Sequence, residues 1–194
     1  MSRFLPGACC AVLLALPSLA HADTWNIDQS NSSAEFSVRH MGISTVRGSF
    51  RKVGGTVEYN PADLSKTAIS VTIETASLDT GVEMRDNHVR GPDFLDAAKY
   101  PTITFRSKRV ESAGKGKLRI SGDLTMHGVT KNVQLDVDGP SSVANDPQGG
   151  SHMGASATTK IKREEFGVSG TPLMVGDDVT ITIDVEMVKP PVAH

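Results

Sequence analysis

From residue 33 onward, apolar and polar side chains alternate with a period of two, the mark of strands that turn one face inward and the other to solvent. Ala34, Phe36 and Val38 share one face of 33–40 with His40. Val46, Gly48 and Phe50 do the same in 45–52, and Ile69, Val71 and Ile73 in 67–74. Gly54-Gly55 and Asn60-Pro61-Ala62-Asp63 read as breaks, with Val57 and Tyr59 in the short run between them. Beyond residue 101 the alternation resumes. Ile103 and Phe105 face inward in 102–110, as do Leu118, Ile120, Gly122, Leu124 and Met126 in 117–127 and Val133, Leu135 and Val137 in 129–137. His127-Gly128 makes a tight corner between the last two. The polar, glycine- and proline-containing segment 139–150 reads as a mobile loop, and 151–162 and 179–188 supply two more strands.

This pattern predicts an all-β fold of roughly eight to ten antiparallel strands. Such strands must hide their edges, and closure into a barrel does so. A barrel of about eight strands is either filled by its own side chains or holds one small ligand. Small inward residues (Ala34, Gly48, Gly122, Ala155 and Ala157) favour unfilled space. The alternative is that they fit the taper of a solid barrel or mark bulges.

One stretch, 78–101, breaks the alternation and predicts a short helical insert. Thr80-x-x-Glu83 has the form of a capping box, and Gly91-Pro92 that of a helix stop with glycine in a left-handed turn. Arg85, His88 and Val89 fall on one helical face, Asp86 and Arg90 are spaced for an ion pair across one turn, and a second turn follows at 93–97. The insert therefore reads as a lid on a β architecture, with Phe94 and Leu95 as its apolar contacts.

The amino terminus changes the compartment. Residues 1–22 carry Arg3, an apolar run over 11–16 and Ala20-His21-Ala22, the pattern of a secretory signal cleaved after Ala22. Cys9 and Cys10 precede the apolar run and leave with it, so neither a lipid anchor nor disulfide chemistry is expected. Cleavage removes Arg3 alone among charged residues, leaving 19 basic against 22 acidic side chains and a formal charge of −3. No basic surplus points to nucleic acid, and no later segment is apolar enough to be transmembrane. The mature chain reads as a single domain over 23–189 with a tail at 190–194, exported to the periplasm.

Candidate chemistry is sparse. Nucleophile elbows, phosphate-binding glycine loops and zinc-binding helical motifs are missing from the sequence. His40, His88 and His127 have no recognisable ligand spacing, so no metal is expected. Arg85 shares its face with Val89 and could offer charge at a barrel mouth while its stem packs on apolar groups.

Together these residues resemble the YceI-like family of bacterial periplasmic proteins. The resemblance rests on Trp25-x-Ile27-Asp28, Phe36-x-Val38-x-His40, Gly48-x-Phe50, Arg85-Asp86-x-His88-Val89 and Phe94-Leu95-Asp96. It continues through Tyr100-Pro101-x-Ile103-x-Phe105-x-Ser107, the run from Gly122 to Thr130, Ile161-x-Arg163-x-x-Phe166-Gly167 and Val175-Gly176-Asp177-x-Val179. Departures are mild: Asn31-Ser32 stands where the family often has His-Ser, Val89 where leucine is common, and Glu165 where aspartate is. The resemblance implies a lipocalin-like extended barrel that takes up a polyisoprenoid or similar long-chain amphiphile (an isoprenoid quinone, a polyprenyl phosphate or a fatty-acid derivative) for transport, storage or sequestration.

On this reading Phe36, Val38, Phe50, Val57, Ile73, Val89, Phe94, Leu95, Phe105, Leu124, Met126 and Phe166 contact the tail. Arg85, His88 and Arg163 orient the head group, with a structural pair at the barrel end as the alternative for Arg163. No catalytic residue and no cofactor beyond the bound lipid are implied, and a homodimer is compatible with it. The competing readings are an enzyme on an isoprenoid substrate, with His88 or His40 as acid–base residue, and a solid barrel that only binds partners.

Overall fold

The computed structural model describes residues 22–189. The expected signal segment, except its last residue Ala22, and the tail at 190–194 fall outside them. In chain order the strands are β1 (Asp23–Ile27), β2 (Ser33–His40), β3 (Ser44–Phe50), β4 (Val53–Tyr59), β5 (Ala68–Glu74) and β6 (Leu78–Asp79). A helix, α1 (Glu83–Arg90), comes next, followed by β7 (Thr102–Gly114), β8 (Lys117–Met126), β9 (Val129–Asp138), β10 (Ala144–Asn145), β11 (Ser151–Lys162) and β12 (Val175–Lys189).

They form one antiparallel sheet that closes on itself. β12 is the closing stave: β11 pairs along one edge without a break, from Ser151↔Lys189 to Lys162↔Asp178. Its other edge carries β1 at Val188 and β2 from Val175 to Asp184. Around the ring the order is β12, β1, β4, β5, β7, β8, β9, β11 and back to β12, an eight-stranded barrel. β2 and β3 extend the wall beyond β1 and β4, and β6 pairs with the end of β3. The short strand β1 is absent from the periodicity reading because its five residues offer only Trp25 and Ile27 as inward positions.

Local chemistry sets the corners. The β8–β9 hairpin turns through His127 (φ 51°) and Gly128 (φ 75°), both left-handed, which matches the twist of the flanking strands. Glycine is needed there twice over, since a Cβ on Gly128 would lie 2.6 Å from the Tyr100 ring. The 139–150 loop is more ordered than its composition suggests. β10 pairs with the start of β11, and the Asp146 carboxylate accepts from the backbone of Gln148 and Gly150. His152 then clasps it, with Nε2 2.8 Å from Asp146 and Nδ1 2.8 Å from Glu186 on β12.

The insert is helical but is built differently from the sequence expectation. Val82 is the N-cap and makes no side-chain bond, so Thr80 and Glu83 form no capping box. Instead the buried Asp86 reaches back, accepting from the Thr80 backbone at 2.8 Å and from its hydroxyl at 2.5 Å. That removes Asp86 from the expected pair with Arg90, whose guanidinium donates to the Leu78 carbonyl. Gly91 ends the helix in an extended conformation (φ −74°, ψ 176°), and Asp96 takes the left-handed turn five residues on.

Candidate functional site

The barrel encloses a cavity of about 460 Å³. It runs from Tyr59, Thr67 and Pro140 at one end to His40, Met174 and α1 at the other. His88, Thr171 and Met174 line it and are also exposed to solvent, which marks the mouth. The period-two pattern builds this wall: alternate residues of β12 (Val179, Ile181, Ile183 and Val185) and of β5 (Ile69, Val71 and Ile73) all face the cavity. These inward aliphatic side chains are only partly buried, because the space before them holds no protein atoms.

The two glycines read as unfilled space have a more specific role. A Cβ on Gly48 would fall 2.5 Å from the ring of Phe36, its direct cross-strand partner. One on Gly122 would fall 2.5 Å from the ring of Phe105. Each glycine lets an aromatic ring lie flat along the wall, covering the bare backbone and leaving the middle of the barrel clear. Ala155 and Ala157 line the cavity directly.

Among the expected tail contacts, Phe36, Val38, Phe50, Val57, Ile73, Val89, Phe94, Leu95, Phe105, Leu124 and Met126 all border the cavity. Phe166 does not. It is 1% exposed and packs into the core cluster with Phe94, Met126 and Val168, behind the wall. Its place follows from the 3₁₀ turn Arg163–Phe166, which takes it out of the strand alternation. Val133, Ile181 and Met187 border the cavity as well; they stand outside the expected tail contacts, although the alternation of their strands turns them inward.

The polar residues gather at the mouth. Arg85 donates from Nε to the Thr80 hydroxyl (2.8 Å) and from one terminal nitrogen to the Thr80 carbonyl (2.9 Å). Its other terminal nitrogen carries no bond among the described residues and is free to meet a ligand. His88 stands edge-on to Phe94 with ring centroids 5.1 Å apart, and its Nε2 lies 3.3 Å from Asp93. Arg163 also borders the cavity, but its guanidinium is committed elsewhere. It donates to the carbonyls of Gly176 (2.9 Å), Val168 (2.6 Å) and Val175 (2.8 Å), and its side chain is 5% exposed. The structural alternative describes Arg163 better than head-group contact does: it staples the 3₁₀ turn to Val168 in the following loop and to the start of β12.

For acid–base chemistry, the wall offers His40 and His88. The hydroxyl of Thr80 is held between Asp86 and Arg85 and is not presented as a nucleophile. Among the described residues no cluster of three His, Cys, Asp or Glu side chains could hold a metal ion. No described helix is long and apolar enough to cross a membrane. At the far end the Asp146 and Glu186 carboxylates hold the His152 imidazolium and raise its pKa above 6.5, while hydrogen bonds from His152 and the Gly150 amide hold Asp146 below 3.8.

The sequence profile of the YceI-like domain matches residues 25–187, all but the outermost residues of the barrel. The chain belongs to the YceI-like family. It is 36% identical over 170 residues to a UPF0312 protein of Vibrio cholerae, covering 87% of this chain and 89% of that one. Among solved structures, BcnA of Burkholderia cenocepacia aligns with a TM-score of 0.72 at 27% identity, covering 82% of this chain and 98% of BcnA. A polyisoprenoid-binding domain from Saccharophagus degradans, implicated in plant cell wall breakdown, aligns with a TM-score of 0.63 over 86% of this chain and 98% of that domain. At 16% identity that likeness is one of fold.

Proposed function

We propose that this YceI-like barrel carries one polyisoprenoid or similar long-chain amphiphile in the periplasm, without catalytic turnover. The observation that carries the reading is the set of inward aliphatic side chains left only partly buried around a continuous apolar cavity. Apolar surface turned away from solvent and left without a protein partner is what a tail would cover.

The cavity volume sets the scale. At roughly 30 Å³ per methylene-sized group, comparable with a water's share of liquid volume, about 460 Å³ accepts a tail of roughly fifteen carbons. At ~0.8 kcal/mol per sheltered carbon this gives ~12 kcal/mol gross, from which ordering and association costs are subtracted. One polar contact at the mouth contributes only ~1 kcal/mol net. Tail burial therefore supplies the affinity, and the free nitrogen of Arg85, with His88 beside it, sets which end points outward. The polyisoprenoid-binding name of the Saccharophagus domain agrees with this chemistry. Organic extraction of protein purified without detergent, followed by mass spectrometry, tests the proposal. A stoichiometric long-chain species is expected; an extract with no lipid above the level from a solid control protein would reject it.

A further inference from the structure

The mouth of the cavity carries apolar side chains that have no partner in the fold. Ile43 is 79% exposed and Met41 56%, both at the tip of the β2–β3 hairpin. Leu173 is 97% exposed and Met174 46%, in the loop that enters β12. The two loops form one unit, since the Met41 amide donates to the Met174 carbonyl at 2.6 Å. Each holds a side-chain-bearing residue in the left-handed region, Met41 at φ 51° and Thr171 at φ 44°. For a β-branched threonine this is a rare conformation, of the kind that persists where a loop must present its side chains in a set direction. Met174 belongs at once to the exposed rim and to the cavity wall, so apolar surface runs unbroken from solvent into the barrel.

The two rim loops carry basic side chains and no acid, while Asp93, 71% exposed and 3.3 Å from His88, stands on the α1 side of the mouth. Residues 39–47 contain Arg39 and Arg47 and no acid, and residues 168–175 contain no charged side chain. Arg39 lies across the hairpin, donating to the Thr45 hydroxyl at 2.9 Å and the Gly42 carbonyl at 2.6 Å. The acids next along β12 are already engaged: Asp177 accepts from the Glu164 amide, and Asp177 and Asp178 both pair with Lys162. The N-cap Val82 and Met84 in the first turn of α1 are exposed too, with Glu83 between them.

We propose that this rim docks on an anionic phospholipid bilayer, with Met41, Ile43, Leu173 and Met174 entering the headgroup–acyl boundary and Arg39 and Arg47 meeting lipid phosphates. This rests on reading the barrel as a lipid carrier. Apolar side chains flanked by arginines suit that interface, where the chain stems lie in the apolar layer and the charged ends remain in the polar one. A second copy fits the same rim less well, because the two loops of a copy hold no acid to meet Arg39 and Arg47. Docking in this orientation puts the cavity mouth against the membrane, so a tail passes from acyl chains to the barrel without crossing water. A tail longer than the cavity would leave through the same mouth.

Flotation with vesicles of phosphatidylcholine and phosphatidylglycerol tests the inference. The wild-type protein should float with them, and less with phosphatidylcholine alone. The double variant Ile43→Ser/Leu173→Ser should lose at least ten-fold of the bound fraction while its melting temperature is unchanged, since both side chains are solvated in the free protein. Uptake of a polyprenyl phosphate from detergent micelles reports separately on the cavity, and the variant should retain it. Uptake without flotation by the wild type would overturn membrane docking and leave the carrier reading standing. Equal flotation of the variant would also overturn it. So would a wild-type dimer in sedimentation that dissociates in the variant and never floats, which would make the rim an interface between copies.

Discussion

Replacing Gly48 by alanine puts a methyl group where the Phe36 ring now lies, 2.5 Å from its nearest carbon, so the ring must swing into the barrel. Gly48→Ala should therefore reduce lipid uptake several-fold, with a stability change of about 1 kcal/mol, read by urea titration beside a binding isotherm. Leu124 and Met126 separate space from packing in the same way. Both border the cavity, but Met126 is also 9% exposed within the core cluster that holds Phe94 and Phe166, whereas Leu124 only abuts that cluster. Leu124→Trp should block uptake at little cost, and Met126→Trp should destabilise by ~1–3 kcal/mol through overpacking. The two arginines diverge as well. Arg163→Met strips buried carbonyls of their donor and should lower unfolding free energy by at least ~3 kcal/mol, because three of them depend on one guanidinium. Arg85→Ala should instead weaken binding of a charged-head lipid by ~1 kcal/mol, about five-fold, and leave a neutral alcohol of equal length unaffected.

Two elements sit at the ends of the barrel, and each has its own test. The insert around α1 is held by Asp86 and by turns rather than by the sheet ladder, and elements with few such ties open first. Its amides should exchange sooner than those of β8, and bound lipid should slow them by filling the space before Val89, which is only partly buried against the core that holds Phe94 and Leu95. Equal protection with and without lipid would make the insert a fixed cap. The clasp on the opposite side is electrostatic. The folded-state pKa of His152 is raised by Asp146 and Glu186, so its contribution is complete below 6.5 and is lost as pH rises through the raised value. The Asp146 contribution runs the other way, present above 3.8 and lost as pH falls through its lowered value. The melting temperature should therefore decline as pH rises above 6.5, and His152→Gln should flatten that decline. Little of this wiring could be read from the residues: Thr80 and Glu83 have the spacing of a capping box, yet Asp86 competes for the same threonine and is buried with it. Nothing in 139–150 signals that Asp146 would meet a histidine from the next strand.

Across the whole molecule, the barrel and its inward face were legible because a half-buried strand repeats every two residues, and β11 and β8 follow that pattern almost residue for residue. Whether the barrel was hollow was not legible. The same alternation describes a filled core, and even Gly48 and Gly122, which looked like vacant positions, are covered by rings. Hollowness depends on how many inward side chains reach the axis, a property of curvature that no single strand encodes. Phe166 shows the same limit, since leaving the strand for a 3₁₀ turn carried an apparent wall residue into the core. On the proposed function, the space along this axis is the seat of one lipid tail. Native mass spectrometry of the exported protein and of Leu124→Trp, prepared without detergent, tests it most directly. One long-chain amphiphile per wild-type chain and a bare polypeptide mass for the variant are expected. A bare mass for both, with equal stability, would contradict it.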